Sequence, residues 1–395
     1  MLNMNTLSLL NRDQELFNND IISFQEILKN LILKSNILVV GAAGTIGKAT
    51  VKEIIKYFPN KLHAVDISEN NIVELVRDIR STSDYRNIDF KTFALDCGSE
   101  EFDYFVDKEG PYDYVLNLSA LKHVRSEKDP FTIMRMINVN IFNTVKVLRL
   151  TKPKKYFCVS TDKATNPINM MGASKAIMEK FLFRESMQHK TSMARFANVA
   201  FSDGSLLHGF NQRFLSQQPF SAPNDIQRYF ITERESGQLC LMSCFLGDNR
   251  DIFFPKIKNN FKLIKFSDMA ILYLKSKGYD PYICSSEDEA RKMCKDLISK
   301  KKWPCFFFTS DTTGEKKEEE FYTQKETLKM DTFQNIGVIK NKANYDELAL
   351  NNFENKIKFF KQNLSWSKSD LVEAFISVLP DFKHSETGKY LDEKM

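Results

Sequence analysis

Asp162 and Lys163 put an acid and a base side by side, directly after the apolar run at 156–160. If burial raised the carboxyl pKa and lowered that of the ammonium, the pair could give and take protons at one substrate. Without a context such a pair is a solvated charge pair on a turn, so its neighbours decide the reading. Twelve residues on, Lys175 follows Met171 by four, a spacing that puts both on one helical face. A second constellation is Gly41, Gly44 and Gly47, between the apolar run 36–40 and the helical segment KATVKEIIKYF. Gly41 permits a tight turn, Gly44 lets the backbone approach a pyrophosphate, and Gly47 allows close helix–strand packing. The helix start supplies N–H donors and a positive dipole end. Asp66 ends the next strand, where its carboxylate suits ribose hydroxyls and repels a 2′-phosphate, which favours NAD over NADP. Asp96 suits either an adenine contact or the N-cap of the following SEEF segment.

Those residues need a frame. Apolar runs at 36–40, 62–65, 90–95, 114–118 and 156–160 alternate with helical patterns, which implies a Rossmann-like, doubly wound parallel sheet. Residues 1–34 read as a helical lead-in with a stripe of Phe17, Ile21, Phe24, Ile27 and Leu31. Residues 35–250 read as the dinucleotide-binding domain with the catalytic loop and part of a smaller mixed α/β substrate lobe. Residues 251–395 read as a smaller C-terminal region of mixed α/β type, with a capping signal at Ser286–Glu289, a strand at 303–308, and helices at 348–363 and 369–379. Its 310–316 loop lacks phosphate-loop spacing and reads as a plain turn. Part of the chain after 200 is expected to supply that lobe and complete a substrate pocket beyond the strand ends. The rest, with the lead-in helix, is expected to pack subunits together as a homo-oligomer.

The 395 residues carry 56 Lys and Arg against 51 Asp and Glu, a net +5 of mixed sign, which is no nucleic-acid footprint. No run approaches the ~20 apolar residues that span a bilayer, and the N-terminus shows no signal-peptide pattern. Seven dispersed cysteines form no metal or disulfide pattern. The expectation is a reduced, cytoplasmic protein without an integral membrane segment or a metal.

The glycine spacing resembles that of extended short-chain dehydrogenases/reductases. Ser160-Thr-Asp-Lys-Ala164, Asn166-Pro167 and Met170-Met-Gly-Ala-Ser-Lys175 narrow the match. They closely resemble the STDKA…NP…MGASK signature of bacterial CapD-like nucleotide-sugar 4,6-dehydratases. Asn117 to Val124, Asn140 with Asn143-Thr144, Arg195 to Asn198, Ser202 to Ser205, and Arg228 to Thr232 resemble further family segments in order. The resemblance implies NAD held by Gly41, Gly44, Thr45, Ile46, Gly47, Asp66, Asp96, Ser119 and Lys175. It also implies a UDP-activated N-acetylhexosamine as substrate, UDP-GlcNAc first. Asp162 would protonate the C6 oxygen, Lys163 would remove the C5 proton, and Thr161 would hydrogen-bond the C4 oxygen. Met171 stands where the wider class has Tyr, and in the family Met accompanies retention at C5. For the nucleotide end, Lys122, His123, Asn198, Arg213 and Arg228 are candidates, because a diphosphate needs cationic or amide donors. Arg213 reads equally as a surface charge, and His123 reads more readily as structural. Arg125 and Glu127 either close the site or form an ion pair. The rival readings are an NAD-dependent nucleotide-sugar 4-epimerase and a non-catalytic binder of NAD and sugar nucleotides.

Overall fold

The structure is a computed structural model that describes residues 6–82, 88–258, 261–384, 386 and 388–389. Its centre is a nine-stranded sheet. Strands β1 (Asn36–Val40), β2 (Lys61–Asp66), β3 (Asp89–Ala94), β4 (Tyr114–Asn117), β5 (Lys155–Thr161) and β6 (Thr191–Phe196) pair in parallel, in the order 3-2-1-4-5-6. Asp251–Pro255 continues the sheet in parallel beside β6. The antiparallel strands Ile336–Lys340 and Thr327–Lys329 finish that edge. The near-continuous apolar sequences of β1 and β5 follow from burial on both faces, as parallel sheets with helices on each side require. The order reverses between β1 and β4, and beyond the strand ends at such a switch point lies the usual ligand crevice.

A smaller lobe is built on a parallel three-stranded sheet of Phe220–Pro223, Lys302–Phe308 and Asp280–Ile283. It has its own apolar core, in which Phe214 stacks on Trp303 at 4.7 Å and Phe210 on Phe220 at 4.8 Å. The chain after residue 250 contributes strands to both sheets. Residues 280–308 complete the lobe, whereas 251–255, 327–329 and 336–340 extend the main sheet. The helices Glu347–Asn363 and Lys368–Val378 pack on this chain's own helices, with Phe353 against Phe142 and Phe181. The strand Ile336–Lys340 is almost wholly buried. The lead-in also packs on its own chain. It breaks at Phe24 into helices Asn18–Ser23 and Gln25–Ile32, and the break advances the stripe by one residue. Ile27 is 49% exposed while Leu28 and Ile32 are fully buried.

The lead-in is pinned by Arg12, whose guanidinium donates to both carboxylate oxygens of buried Glu235 at 2.6 and 3.0 Å. Glu235 also accepts from the backbone N–H groups of Leu16 and Thr232. Arg12→Ala would strand a buried carboxylate, which costs about 3–5 kcal/mol. A fall of that size in urea-unfolding free energy is the expected result. Among the described residues, no helix is long and apolar enough to cross a membrane, and all seven cysteines are buried thiols.

Candidate active site

β5 delivers Thr161 to the carboxyl edge of the sheet, where the chain turns through Asp162–Ala164 before the helix Met170–Glu185. The turn organises itself. Asp162 Oδ1 accepts from Thr161 Oγ1 at 2.9 Å, from the Lys163 N–H at 2.8 Å and from Lys163 Nζ at 3.2 Å. Asp162 is 3% exposed and the Lys163 side chain 17%, so the pair is largely shielded rather than set on a solvated turn. Asn198, on the short strand Asn198–Val199, places Oδ1 3.5 Å from Lys163 Nζ. The structure thus brings together Thr161, Asp162, Lys163 and Asn198.

The helix start is built for precision. Asn169 caps it by accepting from the Gly172 N–H at 2.7 Å, and buried Glu127 accepts from the Met170 N–H at 2.7 Å. Of the two readings of Glu127, the structure adds a third: it anchors the helix that carries Met171 and Lys175. Met171 is buried at 3% exposure. Lys175 is also buried, and Nζ donates to the Val159 carbonyl of β5 at 3.0 Å, with burial holding its pKa below the usual lysine range. Behind the site, Arg195 forms a bidentate pair with Glu179 at 3.0 and 2.7 Å, and Glu179 also accepts from Ser160 Oγ. That pair ties β6 to β5 and to the helix.

The glycine loop lies at the end of β1. Gly41 adopts φ +73°, and a Cβ there would sit 2.6 Å from the Ser119 N. A Cβ on Gly47 would meet the Gly41 carbonyl oxygen at 2.2 Å, so this glycine is demanded by helix–strand packing. Gly44 differs. A Cβ there would meet only the Gly41 oxygen, at 3.9 Å, so the protein itself has no need of glycine at that position. Gly44 opens the helix Thr45–Ile55 with no side-chain cap, which leaves N–H donors facing open space. An open, uncapped cradle of this kind fits a dinucleotide pyrophosphate.

Asp66 supports the loop. Its two oxygens accept from the Ala43 and Ser68 N–H groups, each at 2.9 Å, at the end of β2. Ser119 follows β4 and donates to Asn117 Oδ1 at 2.6 Å. Ile46 packs partly buried on the main core. Thr45 Oγ1 donates to Asp203 and accepts from its N–H, both at 3.1 Å, which links the helix start to the 202–205 loop. Asp96 accepts from the Gly98 N–H at 2.8 Å, while Ser99 is the N-cap of the helix Glu100–Glu109. The capping alternative for Asp96 is therefore corrected: the cap lies three residues later, because Asp96 is engaged in its own turn. A groove of about 950 Å³ runs from Asp96 past Arg135 and Asn143 to Lys358 and Trp366, with no part of the Asp162–Lys163 cluster on its walls.

The nucleotide-end candidates separate. Lys122 Nζ lies 3.4 Å from Ser202 Oγ, and burial lowers its pKa against the pull of Asp203. His123 packs its ring on Gly204, and burial together with Lys122 and Arg125 lowers its pKa, as suits a neutral structural imidazole. Arg213 stands half-buried on the helix Leu206–Leu215 beside Gly209. Arg228 is 3% exposed and donates to the carbonyls of Gln227 and Lys317 at 2.9 and 3.0 Å. Its other nitrogen lies 3.7 Å from both Glu315 and Glu319. In this arrangement Arg228 holds a segment in place rather than presenting a free guanidinium.

That segment, 310–321, is what the sequence reading missed. It lies across the Asp162–Ala164 turn and the helix start that follows: Lys316 Nζ donates to the Thr165 carbonyl at 3.0 Å, and Asn169 Nδ2 to the Gly314 carbonyl at 2.8 Å. Glu319 is thereby buried 3.7 Å from Lys163 Nζ. Residues 310–316 read in sequence as a plain turn and 317–321 carry no assignment; only their proximity to Arg228 in space reveals the burial.

The chain is similar to several known proteins. Capsular polysaccharide biosynthesis protein CapD of Staphylococcus aureus is 27% identical over 69% of this chain and 47% of its own length. This chain thus spans about half of that relative. A Campylobacter jejuni protein named UDP-N-acetylglucosamine 4,6-dehydratase (inverting) is 26% identical over 60% of this chain and 70% of its own. A UDP-glucose 4-epimerase of Rickettsia bellii is 30% identical over 57% and 67%. In fold, the chain resembles Pen from Bacillus thuringiensis, with a TM-score of 0.64 at 21% identity, covering 78% of this chain and 88% of that one. Residues 37–341, which include the glycine loop, the Asp162–Lys163 turn and the 310–321 segment, match one family throughout, and the chain belongs to the polysaccharide biosynthesis protein family.

Proposed function

We propose that this protein is an NAD-dependent nucleotide-sugar 4,6-dehydratase acting on a UDP-activated N-acetylhexosamine, UDP-GlcNAc first. The observation that carries the reading is the Asp162–Lys163 pair, 3.2 Å apart at the end of β5, with the Asp162 carboxylate buried and Lys163 mostly so. It stands on the same carboxyl edge as the glycine loop after β1 and Ser119 after β4. A protein that only binds NAD and a sugar nucleotide has no use for a buried acid and base there.

The glycine loop, Asp66, Ser119 and Lys175 would hold NAD, which supplies reversible oxidation at sugar C4 when bound. Oxidation at C4 acidifies the C5 proton. Lys163 removes that proton, Asp162 protonates the departing C6 oxygen as water leaves, and Thr161 hydrogen-bonds the C4 oxygen. Asn198 steadies the Lys163 amine between strokes. Because Met171 is a thioether and cannot take the proton of the C4 hydroxyl, that proton passes through Thr161 to Asp162, which later gives one to the C6 oxygen; the Tyr on which a 4-epimerase relies is absent from this position.

The test is the product mass after incubation with NAD and UDP-GlcNAc. The dehydratase reading expects a product lighter by one water. Unchanged mass with inverted C4 marks the epimerase, and no conversion of any UDP- or GDP-N-acetylhexosamine marks the binder. Met171 also supports retention at C5, the xylo-configured 4-ketose, although the Campylobacter relative bears the name of an inverting enzyme. With Met171→Tyr, lowered activity and unchanged C5 configuration are expected, read from proton couplings in the product. An arabino-configured product from either protein would break the link between Met171 and outcome.

A further inference from the structure

Lys163 can act as a base only as a free amine, and Asp162 lies 3.2 Å from its nitrogen. The proton of its ammonium needs somewhere to go. Glu319 is the other ionisable group at hand. Its Oε1 stands 3.7 Å from Lys163 Nζ and 3.7 Å from an Arg228 nitrogen. Its Oε2 is buried with no hydrogen-bond partner among the described residues, 3.9 Å from Lys316 Nζ. A buried carboxylate oxygen without a donor is rare, and protonation of Glu319 removes the charge that oxygen would otherwise share away from water.

We propose that Glu319 is the proton-holding partner of Lys163, taking the ammonium proton so that the neutral amine can remove the C5 proton. The step is a single transfer: one N–H bond of Lys163 breaks, one O–H bond forms on Glu319, and an ion pair becomes a neutral pair. Exclusion of water drives it, because a desolvated site disfavours two separated charges more than two neutral groups. Electrostatics agrees in direction. Burial raises the Glu319 pKa, Lys163 opposes that rise, Asp162 adds to it, and Arg228 and Lys316 oppose it again. Glu315, on the far side of Arg228, completes the charges facing this position. Glu319 acts through Lys163 and so is a positioning residue. The proposal rests on the dehydratase reading for its role in turnover, but the proton-sharing can be measured without sugar.

The test is Glu319→Gln, which keeps size and removes the proton acceptor, with Glu319→Asp as the conservative variant. In the wild type the lysine–glutamate pair need lose only its first proton to be active. In Glu319→Gln, Lys163 must titrate alone. The acid limb of the kcat profile should therefore move to higher pH, with kcat down about tenfold or more at neutral pH and KM within about threefold. Glu319→Asp should recover part of the loss. A limb that stays in place would mean Glu319 is only structural. A limb that moves to lower pH would mean it acts only as a fixed negative charge. Either result overturns the proposal. The second readout is acylation of Lys163 by a small amine reagent at neutral pH without sugar nucleotide, quantified by peptide mass spectrometry. Slower labelling of Glu319→Gln than of wild type is expected, and equal or faster labelling overturns the proposal. If the labelling result holds but wild type releases no dehydrated product, the dehydratase reading fails and the proton-sharing stands.

Discussion

Replacing Lys163 with alanine is expected to lower turnover of the nucleotide sugar by about 10²–10⁴-fold, the usual contribution of a positioned base. NAD affinity should stay within about twofold. The reason is the geography of the site. Lys163 interacts with Asp162, Asn198 and Glu319, whereas the glycine cradle stands on β1, two strands away across β4. Its removal also leaves Asp162 without its ammonium, so part of the loss comes from a misplaced acid. Fluorescence titration of NAD beside a chromatographic assay separates the two effects. Equal loss of binding and turnover would make Lys163 a structural residue.

The second large effect divides two glycines that look alike in sequence. Gly47→Ala forces a Cβ to 2.2 Å from the Gly41 oxygen and 2.6 Å from the Ala42 carbonyl. The helix Thr45–Ile55 would have to leave β1, and overpacking of backbone against backbone should cost about 3 kcal/mol or more. Loss of soluble, folded protein is the expected outcome. Gly44→Ala meets nothing closer than 3.9 Å, so the fold should survive. The added methyl would instead stand in the space a pyrophosphate needs, and NAD affinity should fall about tenfold or more, some 1.4 kcal/mol. Thermal unfolding with and without NAD reads both. A Gly44→Ala protein stabilised by NAD as well as wild type would show that the cofactor does not cross the loop there.

What was legible in the sequence is what local chemistry dictates. The glycine loop, Asp66 and the Asp162–Lys163 turn announce themselves because each sits at the end of a continuous apolar strand. Those strands are readable because burial on both faces removes polar residues from them. The C-terminal half was harder. Ile336–Lys340 joins the main sheet through an antiparallel pairing with Asp251–Pro255, and nothing in either segment names its partner some 80 residues away. The lead-in stripe failed at Ile27 because a one-residue break at Phe24 changes the helical phase. Glu319 was invisible for a related reason. Its run of charges has no periodicity, and its burial is created by Arg228, Thr165 and Asn169 from other parts of the chain. Arg228 itself was identified as an important cation. Its partners here are carbonyls and carboxylates of that same segment rather than open space, which only the folded arrangement could reveal.

The claim at the centre of this account is that the buried Asp162–Lys163 pair removes a proton at C5 and expels the oxygen at C6. Running the wild-type protein with NAD and UDP-GlcNAc in deuterated water, and examining the product by NMR and mass spectrometry, addresses it directly. The account predicts a 4-keto-6-deoxy sugar that has lost one water, carries solvent deuterium at C5 and none at C6, and keeps the D-configuration. A product that keeps its C6 hydroxyl, or one that has lost water yet bears no deuterium at C5, would contradict it.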